Sequence, residues 1–391
     1  MMTDKSFAEK KIKQRRNIMN KSNFLLIAIA LVVVTALVTF LIMKPEKKLP
    51  VSVEKPVERK APAIVWKAQS SYPAGLPQLY EPAARFAEKI EKLTGGQLVV
   101  KMSPGGAIVP SKKVFDAVSA GTLDMGCTWA GWWIGKFPAS VLFGNSFPNG
   151  LQMREMLSWI YTGGGLKLWN ELYRGHDIIV LPPYGMLGSE NFCWSRKPIN
   201  SLADFKGLKF RTVGIWGKCL ERLGARVVSL PGGEVYPSLE RGVIDACEFA
   251  TPAIDKKLGF QEICDYLKLP GIHEPCAPLE TLVNEKSWQK LSDDLKFKVE
   301  MALRDACFEA INKTMREDAE AMEFFRKYPG LNISKLSPEM IDEIVKIGDE
   351  ELDKYAKKDA MFAKVLKSQR DFRKLVEPYD DLVRLPYPYA K

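Results

Sequence analysis

A fifteen-residue pattern occurs twice in this chain, at a constant offset of 121 residues. The first copy runs from Pro110 to Asp124 and the second from Pro231 to Asp245. Each copy follows an apolar, strand-like run and then reads as a helix, a glycine stop and another strand. A unit that is built twice, with a long insertion between, predicts two similar lobes that face one another. Ligands favour the crevice outside the ends of such strands.

The N-terminal region contains one long apolar segment. Phe24 to Met43 is a run of twenty residues without a charge, the length that a helix needs to cross a bilayer. Basic side chains dominate residues 1–23, which predicts that this part stays in the cytoplasm. We interpret 24–43 as an uncleaved transmembrane anchor. A signal peptide cleaved near Val34-Thr35-Ala36 is the alternative.

The charge of the chain is concentrated near its N-terminus. Residues 1–60 hold 13 of the 57 basic and 5 of the 47 acidic side chains, so the remainder carries 44 against 42. The formal net charge of +10 therefore indicates membrane topology and not nucleic-acid binding. Residues 44–62 combine prolines with lysines and glutamates, a composition that favours an extended, semi-rigid tether.

The inventory of reactive residues argues against catalysis. The seven cysteines are odd in number and include no C-x-x-C pair, which does not suit a disulfide framework or a zinc site. The two histidines, His176 and His273, are far apart, which disfavours a histidine metal site or a hydrolase triad. Neither G-x-S-x-G nor a phosphate loop is present. We therefore expect that the chain is not an enzyme.

Strand and helix patterns alternate over most of the remaining chain, which predicts an α/β fold. The apolar, extended run from Ile178 to Trp194 is interpreted as a strand that crosses between lobes. Beyond residue 287 the pattern is helical almost to the end. We expect one domain over 63–391, with lobe I mainly 63–185, lobe II mainly 190–280 and a helical region at 287–385.

Two stretches, Leu202 to Arg211 and Pro231 to Glu248, resemble the solute-binding proteins of TRAP transporters, the tripartite ATP-independent systems. The chain is most similar to the subgroup that binds 2-oxo acids and related monocarboxylates with a metal ion. The resemblance covers roughly residues 63 to 385. The resemblance implies a two-lobed fold like that of periplasmic binding proteins, with long C-terminal helices, preceded here by the transmembrane helix.

The resemblance also implies a function. It indicates an extracytoplasmic receptor that captures a small organic acid and delivers it to the integral membrane subunits of a TRAP transporter. The solute-binding domain would lie in the periplasm, held at the inner membrane by the single-pass anchor. In the subgroup a C-terminal helix can exchange between subunits, so a homodimer through the last helix is implied too. A sensory module that reports its ligand to a membrane partner is the alternative, which neighbouring genes would distinguish.

Arg211 is the leading candidate for ligand binding, because it follows an apolar strand in the segment that matches the family's ligand arginine. A guanidinium group grips a carboxylate with two parallel hydrogen bonds. Glu248 matches the glutamate that ligates a metal ion in the subgroup. Phe249 follows it, where the subgroup usually has a tryptophan whose backbone carbonyl also ligates the metal.

The second metal ligand of the subgroup is typically a glutamine, which aligns with Glu190 when Trp194 takes the place of the tryptophan that follows it. Two carboxylates would favour Ca²⁺ over Na⁺, the two ions that the resemblance implies. A shift of one position would make Asn191 the ligand instead.

Aromatic residues complete the expected pocket. Trp129, Trp132 and Trp133 follow the first copy of the repeat, where the subgroup tends to carry aromatic residues, and such walls exclude water from a ligand. Tyr72, in the loop after the first strand, and Trp216, just after Arg211, are further candidates for ligand contact.

Overall fold

The computed structural model describes residues 64–230 and 232–383. The strands are β1 (Ile64–Ser70), β2 (Leu98–Ser103), β3 (Met125–Thr128), β4 (Ile178–Leu187), β5 (Cys193–Ser195), β6 (Lys209–Arg211), β7 (Arg226–Val228), β8 (Ala246–Cys247), β9 (Tyr266–Leu269), β10 (Ala277–Asn284) and β11 (Asn332–Lys335). The helices are α1 (Pro77–Leu93), α2 (Val114–Ser119), α3 (Ser140–Gly144), α4 (Met153–Tyr161), α5 (Gly165–Leu172), α6 (Gly214–Arg222), α7 (Gly232–Glu240), α8 (Pro252–Leu258), α9 (Glu285–Gln289), α10 (Asp293–Arg326), α11 (Pro338–Ala356) and α12 (Ala360–Val383).

The strands form two mixed sheets. The first has the order β2-β1-β3-β10-β4, in which β1 runs parallel to β2 and β3 while β10 is antiparallel to both its neighbours. The second has the order β11-β9-β5-β8-β6-β7. We call the first sheet with its helices lobe I and the second lobe II. The predicted α/β class with two lobes is confirmed by this arrangement.

One strand lies in a different lobe from the one expected. The sequence placed residues up to about 280 in lobe II, but β10 returns to the middle of the first sheet. All eight of its residues are buried. An apolar strand that is covered on both faces shows no alternation, so its sequence does not reveal which sheet it joins. The chain therefore crosses between the lobes through two short segments, at 188–192 and at 270–276, and a third time through α10, which connects β10 to β11 of the second sheet.

The two copies of the repeat adopt the same local structure. In the first copy α2 is followed by Gly121 at φ 72° and then by β3. In the second, α7 is followed by Gly242 at φ 69° and then by β8. A left-handed backbone at the end of a helix is easiest for glycine, which has no Cβ to clash. The repeat is thus a helix–strand unit that occurs once in each lobe.

The aspartate of each copy makes the same contact. Asp124 accepts a hydrogen bond from the backbone N–H of Lys67 on β1, at 2.8 Å. Asp245 accepts the equivalent bond from the backbone N–H of Lys209 on β6, at 3.1 Å. Each aspartate thereby satisfies a strand donor next to the glycine turn. This shared role explains why glycine and aspartate recur together in the sequence.

Long helices connect the two lobes. Helix α10 has 34 residues and packs against β4 and α1 of lobe I as well as α8 of lobe II. Helix α11 packs on α6 of lobe II, while α12 packs on α4 and α5 of lobe I and on α11. The helices that follow β10 therefore cover the junction between the lobes.

The expected anchor at 24–43 and the tether at 44–62 lie outside the described residues. Among the helices of 64–230 and 232–383, none is both long and apolar enough to span a bilayer. All seven cysteines fall within these ranges, where they are buried and form no disulfide.

Candidate functional site

A cavity lies between the two sheets, where the strand ends of both lobes meet. Lobe I contributes residues from the ends of its strands and from α1, and lobe II contributes the segments after β6 and β8. The free volume is about 60 Å³. Since one water molecule needs roughly 10–15 Å³ of such space, the cavity suits a ligand of only a few non-hydrogen atoms. Its walls are formed by Tyr72, Leu79, Trp129, Trp132, Leu187, Glu190, Arg211, Val213, Glu248, Phe249, Ala250, Glu274, Ala277 and Leu279.

Arg211 ends β6 and reaches the cavity with its guanidinium group, although the residue is only 2% exposed. Its Nε and Nη2 donate hydrogen bonds to the carbonyl oxygen of Leu230 at 3.2 and 3.1 Å. Its Nη1 donates to the carbonyl oxygen of Glu248 at 2.8 Å. The group also lies over the ring of Phe249, 5.2 Å from the centroid. These contacts fix the plane of the guanidinium before any ligand arrives.

Three carboxylates share the cavity with this single guanidinium. Glu190 and Glu274 come from the two crossing segments, and Glu248 follows β8. The nearest ionic contact joins Glu248 Oε1 to Arg211 Nη1 at 3.4 Å. All three glutamates are buried. With all three ionised, negative charge would exceed positive charge in a space that water reaches poorly, and such an imbalance is costly unless protons or a cation enter.

The same imbalance acts on protonation. Burial, followed by the negative charges of Glu274 and Glu248, raises the pKa of Glu190 well above its usual range. Burial and then the charge of Glu248 likewise raise the pKa of Glu274. The charge of Arg211 acts in the opposite direction on both groups but does not offset the effect of burial.

His273 lies next to Glu190, with its Nε2 3.3 Å from Glu190 Oε2. Its ring stacks on Trp216, with 5.5 Å between centroids. Burial lowers the pKa of His273 to about 4, so the imidazole is neutral at pH 7. A neutral ring in this position orients the carboxylate of Glu190 and adds no charge to the cavity.

These residues fit a hard cation. One ligand atom each from Glu190, Glu248 and His273 lie within 4.8 Å of one another. Ca²⁺ and Na⁺ take oxygen ligands, which the carboxylates of Glu190 and Glu248 supply at the cavity wall. Because His273 is absent from the lining of the cavity, we assign it to the support of Glu190 and not to the cation.

The structure brings six of the nine predicted site residues together. Tyr72, Trp132, Glu190, Arg211, Glu248 and Phe249 all line the cavity, as does Trp129.

The other three lie behind the cavity wall. Trp133 points into the core of lobe I, where its Nε1 donates to Glu280 Oε2 at 2.8 Å. The side chain of Asn191 donates to Asp255 Oδ2 at 2.7 Å. Trp216 is fully buried against His273. Their contacts are with residues that themselves lie outside the cavity lining, so these three positions are not in direct reach of a ligand there.

Asp255 is a fourth buried carboxylate, placed one layer behind the cavity. It accepts hydrogen bonds from Asn191 Nδ2, Trp194 Nε1 and the backbone N–H of Ala250. Burial raises the pKa of Asp255 to about 8 despite these donors. The residue ties the first crossing segment to the end of β8, and it thereby holds Glu190 and Ala250 in place.

The sequence reasoning missed the second crossing segment. Glu274 and the supporting His273 lie between β9 and β10, in the run Gly271-Ile272-His273-Glu274. The sequence did contain one sign of this segment: a histidine and a glutamate stand side by side between two apolar runs. Such polar residues are unusual in a buried part of a chain.

A family model matches most of the chain. The model for DctP, a bacterial extracellular solute-binding protein of family 7, matches residues 70–359. A monocarboxylate 2-oxoacid-binding periplasmic protein of Nostoc sp. is 33% identical over 331 residues, which is 85% of this chain and 90% of the relative.

Solved structures show the same fold. A TRAP periplasmic solute-binding protein of Colwellia psychrerythraea, with bound calcium and pyruvate, is 30% identical and covers 83% of this chain and 98% of its own, with a TM-score of 0.78. Its counterpart from Pseudoalteromonas atlantica, with bound sodium and pyruvate, is 29% identical over 83% of this chain and 97% of its own, with a TM-score of 0.77. The expected fold of periplasmic binding proteins is confirmed by these similarities.

The overlap is smaller with an open relative. A TRAP protein of Rhodobacter sphaeroides in an apo open structure is 28% identical and covers 79% of this chain and 98% of its own, but its TM-score is 0.64.

Proposed function

This chain belongs to family 7 of the bacterial extracellular solute-binding proteins, and from that premise we propose that it is the receptor of a TRAP transporter for a small monocarboxylate. Pyruvate and other short 2-oxo acids are the leading ligands. The observation that carries the proposal is a buried guanidinium that shares a small cavity between two lobes with three carboxylates. Membership of a family of solute-binding proteins also confirms the expectation that the chain is not an enzyme.

Arg211 orients the ligand in this proposal. Its guanidinium is held in one plane by Leu230 and Glu248, so little conformational entropy is lost when a carboxylate arrives. Tyr72, Trp129 and Trp132 cover the apolar side of the ligand and keep water away from the ionic contact. Ionic hydrogen bonds are stronger in such an enclosed site than at a surface.

A Ca²⁺ or Na⁺ ion accompanies the ligand in this proposal, held by Glu190, Glu248 and the carbonyl of Phe249. The ion supplies positive charge for the surplus carboxylates. Glu248 connects the two halves of the site, because its Oε1 lies 3.4 Å from Arg211 Nη1. A carboxylate that turns to a cation leaves this nitrogen to the ligand, so cation and acid should bind cooperatively.

Replacing the guanidinium tests the role of Arg211. Arg211→Lys keeps the positive charge but removes the planar fork, so we expect the affinity for pyruvate to fall by roughly 100-fold or more. Calorimetric titration in the presence of Ca²⁺ measures it. Arg226→Lys, at an exposed arginine on β7 of the same sheet, is the matched control and should bind as the parent does. An unchanged affinity for pyruvate in Arg211→Lys would show that the carboxylate of the ligand does not bind to Arg211.

The apolar run at 24–43 is proposed to anchor the receptor in the inner membrane, with the binding domain in the periplasm. The basic residues of 1–23 and the length of the run support this topology. Sequencing the N-terminus of the mature protein distinguishes the anchor from a signal peptide: a start after residue 36 would exclude the anchor.

We also propose that α12 mediates a homodimer. Leu375, Tyr379 and Leu382 are spaced four and three residues apart on this helix, and they are 74%, 62% and 86% exposed. Residues with this spacing lie on one face of a helix. An apolar stripe of this kind, near the end of a helix that the resemblance already implicates in subunit exchange, supports packing against a second copy.

A further inference from the structure

A buried hydrogen bond joins side chains of the two lobes directly beside the cavity. Thr251, at the start of α8 in lobe II, donates from Oγ1 to Oε1 of Gln78 on α1 in lobe I, at 2.6 Å. The two residues are 173 positions apart in the sequence. Gln78 is 4% exposed and Thr251 is fully buried. Neither residue lines the cavity, yet both adjoin it, because Leu79 and Ala250 are in its wall.

The local structure of α8 makes the hydroxyl of Thr251 available for this contact. A threonine that precedes a helix normally accepts a hydrogen bond from the first turn. Thr251 accepts no such bond through its side chain. Asp318 of α10 takes over that role, since its Oδ1 accepts from the backbone N–H of Ala253 at 3.0 Å. Pro252 has no N–H to satisfy, so the hydroxyl is left to reach α1.

Helix α10 holds the other end of the contact. Gln78 Nε2 donates to Glu317 Oε2 at 3.0 Å and to Asp318 Oδ1 at 3.4 Å. Asp318 also adjoins Gly188, because a Cβ placed on that glycine would lie 3.5 Å from its Oδ2. Gly188 begins the first crossing segment. Helices from lobe I, lobe II and the junction therefore converge on one amide and one hydroxyl.

The geometry depends on how the lobes are arranged. Two side chains on different lobes meet at 2.6 Å only in one relative orientation of those lobes. In the orientation of this structure, residues of both lobes line one cavity. The bond therefore belongs to the arrangement in which the cavity is enclosed.

We propose that Gln78 and Thr251 form a closure latch, a hydrogen bond that holds the lobes together over the bound acid and so sets how slowly the acid leaves. This inference rests on the proposed function and adds to it a pair of residues that touches neither ligand nor cation. One net hydrogen bond contributes modestly to stability, so loss of the latch should speed dissociation roughly 2- to 12-fold. The association rate should hardly change, since the latch forms after the acid has entered.

Kinetic measurements on full-length variants test the latch. Thr251→Val keeps the shape of the side chain and removes the hydroxyl, whereas Thr251→Ser keeps the hydroxyl. With pyruvate and Ca²⁺ as the probe in stopped flow, dissociation should accelerate in Thr251→Val and in Gln78→Leu, and Thr251→Ser should stay near the parent rate. The double variant Gln78→Leu/Thr251→Val should be no faster than Gln78→Leu alone, because that change already removes the bond to Thr251 together with the contacts of the amide to α10. Additive effects would overturn the latch.

A control separates the latch from general loss of stability. Thr94 on lobe I is buried and donates from Oγ1 to the carbonyl oxygen of Ile90, at the end of the same helix α1. Thr94→Val should therefore lower the melting temperature without changing the rate at which pyruvate leaves. If Thr94→Val accelerated dissociation as much as Thr251→Val, the effect would be one of stability and the latch would be excluded.

A distance measurement keeps the test independent of the ligand. Spin labels on Lys101→Cys of lobe I and Arg226→Cys of lobe II report the separation of the lobes. Both positions are exposed and all native cysteines are buried. Double electron–electron resonance measures the distance between the labels. The fraction of molecules with the short, closed distance should be smaller in Thr251→Val than in Thr251→Ser, both with pyruvate and Ca²⁺ and without them. Failure of the parent to bind pyruvate would count against the proposed function alone. Identical distances in the two variants under both conditions would overturn the latch.

Discussion

Glu190 stands, in the alignment proposed from the resemblance, where the subgroup typically has a glutamine. A carboxylate in place of an amide adds one negative charge to a cavity that already contains Glu248 and Glu274. Divalent ions gain more than monovalent ions from each added carboxylate. The position therefore bears directly on the choice between Ca²⁺ and Na⁺.

Glu190→Gln should shift this choice. We expect the affinity for Ca²⁺ to fall about tenfold or more, while Na⁺ becomes sufficient for pyruvate binding, because the remaining charge matches a monovalent ion better. Titrations with Ca²⁺, and with pyruvate in sodium buffer, measure the two effects. Glu234→Gln, at an exposed position of lobe II, serves as the control. An undiminished Ca²⁺ affinity would exclude Glu190 as a ligand of the ion.

Glu280 is a buried carboxyl group outside the site, and its protonation bears on the stability of the fold. It is fully buried on β10 and accepts hydrogen bonds from Trp133 Nε1, Trp169 Nε1 and the hydroxyl of Tyr173. Burial raises its pKa to about 7 in spite of these three donors. The folded protein therefore retains a proton that the unfolded chain, with a pKa near 4.5, releases.

The sign of the resulting pH effect follows from this difference. Between pH 4.5 and about 7 the folded state binds more protons, so its stability falls as the pH rises, by up to about 3 kcal/mol. Glu280→Gln has no proton to lose. Its free energy of unfolding should therefore improve relative to the parent as the pH is raised from about 5 to about 7.5 in urea titrations. A constant difference between the two proteins would show that Glu280 does not titrate in this range.

At the scale of elements, the sequence predicts those site residues that lie at the ends of strands. Arg211 ends β6 and Glu248 follows β8, and side chains at the ends of neighbouring parallel strands of one sheet meet at one edge. The repeat predicts the glycine turns and the aspartates for the same local reason. These features depend on a few consecutive residues, so they can be predicted from the sequence.

Other parts of the site depend on tertiary packing and could not be predicted from the sequence. Trp132 and Trp133 are adjacent in one 3₁₀ turn, and only the packing of lobe I decides that Trp132 lines the cavity while Trp133 reaches Glu280. Glu274 enters the site because β10 belongs to lobe I and the chain must cross back to reach it. No periodic pattern in the sequence marks such a crossing.

The exposed stripe of α12 gives a prediction for an element. Leu382→Glu combined with Leu375→Glu places charges on the stripe, so a dimer that packs there should dissociate to monomers. Light scattering after size-exclusion chromatography measures the mass. The two side chains are 86% and 74% exposed, so the fold itself should keep its melting temperature. A dimer that survives both substitutions would place the subunit contact elsewhere.

For the whole molecule, the two sheets, the crossing segments and the long helices describe a receptor in an enclosed arrangement. The surplus of negative charge beside Arg211 links cation and acid, and the contact between Gln78 and Thr251 links the closed lobes to the lifetime of the complex. Function here is therefore a property of the relative position of the lobes as much as of any single residue.

The central claim is that the cavity binds a short carboxylic acid together with a cation. Calorimetric titration of the full-length protein with pyruvate, in Ca²⁺ and again in sodium-free buffer with a chelator, tests it most directly. We predict one site with micromolar or tighter affinity in Ca²⁺, and affinity weakened at least about tenfold by the chelator, as expected for cooperative binding. Absence of binding by pyruvate and other 2-oxo acids, or binding that is unchanged by removal of cations, would contradict the account.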